Sequence, residues 1–190
     1  MPAPFEIIAG AADVWVAAAN TADVVLNVGP SGSWTKLGTA GSKDFTEDGV
    51  VLHMNQDVNQ VFSLGATGPR KAFRNREGFR VTLTLMDVTL EMWQHAWNEA
   101  AITTLVGPPA EKTIPLIQGG PVNTRAVLIR SAVSPYADSA NPTQLWVPVC
   151  YQNANVEAAF KKADAMGLAL EFVALQDDTN GFGKLHMPTS

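Results

Sequence analysis

The chain is 190 residues long and 46% hydrophobic but only 16% charged, against about 25% charged in ordinary soluble domains. Its net charge of −5 excludes a general affinity for nucleic acid, which needs a basic face to displace counterions from phosphates. The single cysteine, Cys150, excludes an internal disulfide, the length suits one large domain, and the sparse charge suits a surface covered by other protein.

The opening residues, MPAPFEIIAG, lack the basic head of a secretory leader. No run approaches the ~18 apolar residues of a membrane span, so synthesis in a reducing cytoplasm without membrane insertion is expected. Short apolar runs rich in Val, Ile, Trp and Thr then recur between Gly, Pro, Ser and Asn, which is the rhythm of an all-β domain. Strands are expected at residues 5–8, 13–18, 23–28, 34–37, 50–61, 79–86, 113–117, 126–131, 144–151 and 166–175.

In the segment 50–61, Val50, Leu52, Met54 and Val58 share one parity and His53, Asn55, Asp57 and Asn59 the other. That predicts a long strand with one polar face. Arg70, Lys71, Arg74, Arg76 and Arg80 follow in what reads as a basic loop, and the strand after it points Phe79, Val81, Leu83 and Leu85 one way and Arg80, Thr82 and Thr84 the other. From Asp87 the period changes. Leu90, Met92, Trp93, Ala96, Trp97 and Ala100 fall three and four apart, Asp87 or Thr89 can cap, and Glu91 sits where the helix dipole favours an anion. An amphipathic helix over about 87–100 is expected, packed on the sheet through Leu90, Trp93 and Trp97. A further helical turn is expected at 157–164 and an exposed loop at 131–142, with 1–175 forming the core of a single domain and 176–190 a flexible arm.

A search for chemistry finds little. His53, His95 and His186 have no metal-binding spacing, and His95 reads as a partly exposed helix residue. Cys150, in the run LWVPVC, reads as a small buried hydrophobe rather than a nucleophile. Gly65 to Lys71 lacks the Ser or Thr of a phosphate loop, and Pro69 removes one amide. Asp177 to Gly181 resembles part of a calcium loop, but no glutamate follows at the chelating position. No catalytic, metal or cofactor site is expected. Asp44, Glu47 and Asp48 could serve as paired carboxylates of a carbohydrate-active β-sandwich enzyme, although such a cluster is more simply a solvated face. Set against the basic segment, the same acids can pair with it within one molecule, the simpler expectation, or between copies. Asp44, Glu47 and Asp48 on one side and Arg70, Lys71, Arg74, Arg76 and Glu77 on the other form unlike patches, and heterologous contacts between unlike patches build rings and open stacks.

The order Trp34-Thr35-Lys36-Leu37-Gly38, Asp44 to Val50, Leu64 to Arg74 and Gly78 to Glu91 resembles the tail tube (major tail) proteins of long, non-contractile-tailed bacteriophages. The resemblance covers about residues 34–100. It implies a β-sandwich with one flanking helix, six copies closing into a ring whose inner strands form a β-barrel, and rings stacked into a hollow tube. It also implies a long loop between subunits, here about residues 57–78, and a place in the virion tail after assembly in the bacterial cytoplasm. Implied partners are other copies, a tape-measure protein, a tail terminator, a distal tail protein and double-stranded DNA that passes through unbound. His53, Asn55, Asp57, Asn59, Thr82 and Thr84 are then candidates for the lumen wall. A tail terminator, which closes a single ring, is the nearest alternative. Arg80 would attract DNA there unless an acid neutralises it.

Overall fold

The computed structural model describes residues 11–39, 43–65, 67–116, 119–131, 141–155 and 166–188. Along the chain come β1 (Ala12–Ala18), β2 (Thr35–Lys36), β3 (Phe45–Val61), β4 (Lys71–Leu85), α1 (Leu90–Ala96), β5 (Thr103–Leu105), β6 (Glu111–Thr113), β7 (Thr124–Ser131), β8 (Gln144–Gln152), β9 (Leu168–Ala174) and β10 (Lys184–His186). The fold is mainly β with one helix. One antiparallel sheet runs β2-β1-β7-β8-β9-β4-β3 with β10 beside β8, and β5 and β6 form a separate ribbon.

The sheet curls so that its two halves share a core. Val14 and Val16 of β1, Val127 and Ile129 of β7, and Val147 of β8 meet Val81, Leu83 and Leu85 of β4 and Leu168, Leu170 and Phe172 of β9. Alternation dictates the contributors: in β9 the even residues are buried and the odd ones half-buried. β7 departs from alternation, with Ala126 to Arg130 all buried, because its layer is covered on both faces. On the far face Ala17, Trp34, Ala126, Leu128 and Trp146 make a second cluster, against which Val24 packs.

The cover over that second cluster includes residues 23–28, which are not the strand their apolar run predicts. Their backbone is satisfied by side chains instead of a ladder. Arg130 donates to the carbonyls of Val28 at 2.6 Å and Val25 at 2.9 Å, and to Gln144 Oε1. Gln144 Nε2 donates to Val24 O at 2.6 Å and Asp23 Oδ1 at 2.8 Å, and Trp146 donates to Thr21 O. Burial pulls the Arg130 guanidinium below its ordinary range, with the Asp23 charge acting against that shift.

β8 changes partner partway along, meeting β10 through residues 144–146 and β9 through 150–152. Pro148 sits between the two, at the stretch where the β7–β8 register shifts, a position suited to a residue with no N–H to give a ladder. The stretch expected as a free C-terminal arm is instead tied down from its turn to β10. Asp177 and Gly181 form a bridge, His186 lies 2.6 Å from Asp23, and Gly183 passes so close to β8 that a Cβ there would stand 2.0 Å from Trp146 O. Residues 5–8 and 157–164 lie outside the described residues, as does most of the loop at 131–142. The strand expected at 113–117 is β6, displaced to Glu111–Thr113 by pairing with β5.

Candidate interaction surface

The basic segment is a strand rather than a loop. β4 begins at Lys71 and pairs with β3 from Val61↔Lys71 to Val50↔Leu83, and Arg70 N donates to Val61 O at 2.9 Å to close the hairpin. β9 reaches β4 only from Arg80 to Leu85. Beyond that point no third strand pairs with them among the described residues, so the stretch from Met54 to Val61 projects as a two-stranded ribbon roughly 24 Å long. The register shifts between Asp57 and Val58, leaving Asn75 as the extra residue of a bulge in β4. Met54, Val58, Val61, Phe62, Leu64 and Phe73 are apolar and exposed on this ribbon. Arg74 pairs with Glu77, Arg76 stands opposite Asp57, and the Lys71 ammonium lies 4.7 Å over the Phe73 ring.

Nearer the core, the side of β3 and β4 facing away from it carries Val51, His53, Asn55 and Asp57 beside Thr84, Thr82, Arg80 and Arg76. By strand alternation all six residues predicted to line a lumen, His53, Asn55, Asp57, Asn59, Thr82 and Thr84, share one face of the hairpin. Asn59 lies farther out, opposite Phe73. His53 Nε2 is 3.2 Å from Thr82 Oγ1. Arg80 on this face has its acid: Glu171 of β9 stands 3.7 Å away and also accepts from Asn153.

The acidic segment lies at the root of β3, where the register skips between Phe45 and Val50. Asp44 is fully buried and so does not belong to an exposed acidic patch. It packs so tightly on the loop after β2 that a Cβ at Gly38 would stand 2.2 Å from Asp44 Cγ. Glu47 and Asp48, on the bulge itself, are exposed. From Asp48 to Val61 the strand extends roughly 40 Å, so the exposed acids and the basic tip at Arg70 and Lys71 cannot meet within one chain.

The helix is shorter than its periodicity predicts and presents a different face. Thr89, not Asp87, is its cap, its hydroxyl accepting from Met92 N; Asp87 instead accepts from Thr39 N at 2.8 Å and from the Thr39 hydroxyl. Asn98 and Glu99 take positive φ angles of 49° and 62°, ending the helix. Met92, His95 and Ala96 are its buried residues, while Trp93 packs half-buried on the core and Leu90 and Trp97 are also half-buried. His95 is buried, not partly exposed. Its Nδ1 lies 2.7 Å from Glu99 Oε1, and Glu99 also pairs with Arg125 of β7, a charged lock between helix and sheet that no spacing in the sequence announces. Asn98 adds an amide clasp, accepting from Asn123 N and donating to Pro121 O.

Cys150 is buried, and burial pushes its thiol up to about 12. Among the described residues no cluster of His, Cys, Asp or Glu could hold a metal ion, and no helix is long and apolar enough to cross a membrane. The chain matches no protein-family model and no curated protein.

Proposed function

We propose that this chain is a structural tube subunit of the phage-tail type. Copies join head to tail into hexameric rings, and the rings stack into a hollow virion tail tube, assembled in the bacterial cytoplasm, that conducts double-stranded DNA. The tape-measure protein lies inside during assembly, with the distal tail protein at one end and the terminator at the other. The observation that carries this reading is the projecting β3–β4 ribbon. Among the described residues it has no lateral strand on either edge, and it exposes apolar side chains and holds Arg70 and Lys71 at its tip out of reach of Glu47 and Asp48. Open strand edges of this length invite pairing, and ring closure is one way to remove them.

The face bearing His53, Thr82 and Thr84 supports a lumenal role. Its Arg80 is offset by Glu171, and the chain's net charge of −5 disfavours adhesion to phosphates. Negative-stain microscopy of the purified protein at rising concentration tests the proposal. Hollow, ring-striated tubes are expected. Single closed rings point to a tail terminator, and a monomer throughout in sedimentation overturns the reading.

A further inference from the structure

Between the root of β3 and the layer containing β1, β7, β8 and β10 lies a groove of about 310 Å3 lined chiefly by Ala12, Val50, Leu52, Ile129, Leu145 and Leu185. Leu52 is 48% and Leu185 60% exposed, so an apolar lining faces solvent in the single chain. Ala12 and Val50 also line the adjoining hollow, whose wall carries Glu47 and Asp48. The site is therefore an apolar floor with an acidic rim.

Side chains of complementary chemistry stand at the other end of the same strand. The hairpin tip presents Phe62, 59% exposed, and Leu64, wholly exposed, next to Arg70 and Lys71 where the ladder closes. We propose that the groove is the seat for the hairpin tip of a second copy, with Phe62 and Leu64 on the apolar floor and Arg70 and Lys71 against Glu47 and Asp48. This rests on the head-to-tail reading above and gives it a donor and an acceptor. A chain cannot fill its own groove with its own tip. Val50 lies in the groove and Val61 beside the tip on one continuous ladder, roughly 37 Å apart. The contact is heterologous, so every copy gives one tip and receives one. Burial of the apolar side chains supplies attraction, and the rim charges fix which way round the tip sits.

Two variants of the full chain test it, Phe62→Cys and Leu185→Cys, both at exposed positions. Native Cys150 is buried and stays out of thiol exchange. Mixed under mild oxidation and run on a non-reducing gel, they are expected to give a disulfide dimer that neither gives alone. Adding Glu47→Lys and Asp48→Lys to the Leu185→Cys chain should cut its yield about tenfold, and Arg70→Glu with Lys71→Glu on the Phe62→Cys chain should restore it. Dimers from Phe62→Cys alone would mean that tips meet tips and would overturn the proposal. So would a disulfide formed within one chain between Ile7→Cys and Leu185→Cys with no mixed dimer, which would assign the groove to the chain's own N-terminal residues. If the parent protein forms tubes while the mixed pair never cross-links, the groove is wrong and the head-to-tail reading stands. If the parent stays monomeric and nothing cross-links, both fall.

Discussion

The layer β1–β7–β8 and the ribbon β3–β4 belong to one antiparallel sheet and could hardly be built more differently. In the layer, side chains bury both faces and hold the backbone in place; even the charged Arg130 spends its donors on the carbonyls of Val25 and Val28. In the ribbon the backbone ladder carries the side chains outward: Lys71 to Glu77 are all exposed, and Arg74 to Glu77 share an open hollow with Gln176, Gly181 and Phe182. A two-stranded ribbon is marginal in water by itself. Its order comes from its root, where Arg80 to Leu85 are clamped by β9. The contrast separates residues that make the fold from residues left over for a partner.

The largest effect is expected at the clamp. Phe172→Ala empties a fully buried site beneath both halves of the sheet and should cost about 3–5 kcal/mol in denaturant unfolding. A loss below about 1 kcal/mol would mean the core is looser there than the packing implies. Next comes Arg130→Met, which strands two carbonyls and Gln144; a loss of about 2 kcal/mol is expected, with new protease cutting within residues 23–28. On the ribbon, Arg74→Glu with Arg76→Glu should change stability by less than about 0.5 kcal/mol while impairing polymerisation. Normal tubes from that variant would erase the distinction between the two regions. The smallest effect is expected at the exposed pair Glu91 and Lys112, which links α1 to β6. The hydrogen bond from Lys112 holds the Glu91 carboxyl below its ordinary 4.5. A carboxyl lowered by folding stabilises above its unfolded value and ceases to as pH falls through the folded one. Acid titration below pH 4.5 should therefore loosen β5–β6, seen as faster amide exchange, and Glu91→Gln should remove that dependence.

The sequence is most readable where one face is core and the other is not. The alternation at Phe79 to Leu85, the polar parity of His53, Asn55 and Asp57, and the change of period after Asp87 all correspond to real elements. It misleads where that contrast is missing. Lys71 to Glu77 are all exposed along the ribbon, so no hydrophobic period marks the strand and its charges read as a loop. Residues 23–28 have the opposite fault, an apolar run whose backbone finds side-chain donors 100 residues away instead of a neighbouring strand. Helix length failed at Asn98 and Glu99, whose positive φ is held by tertiary bonds to Pro121, Asn123 and Arg125. The tether of β10 depends on Gly183 clearing Trp146, a proximity that local pattern does not encode. For the residues expected at an interface, charge was legible but position was not: Asp44 is interior, while Glu47 and Asp48 are exposed.

The ribbon is also a ruler. Its strands are joined pair by pair, so the separation between the root of β3 and its tip is set by a number of residues, each adding about 3.4 Å. Lengthening both strands by two residues would push the tip out by about 7 Å and keep every side chain on its face, whereas adding one to each would turn them over. Spacing between whatever stands at the two ends could then evolve in discrete steps, without disturbing the core that anchors it.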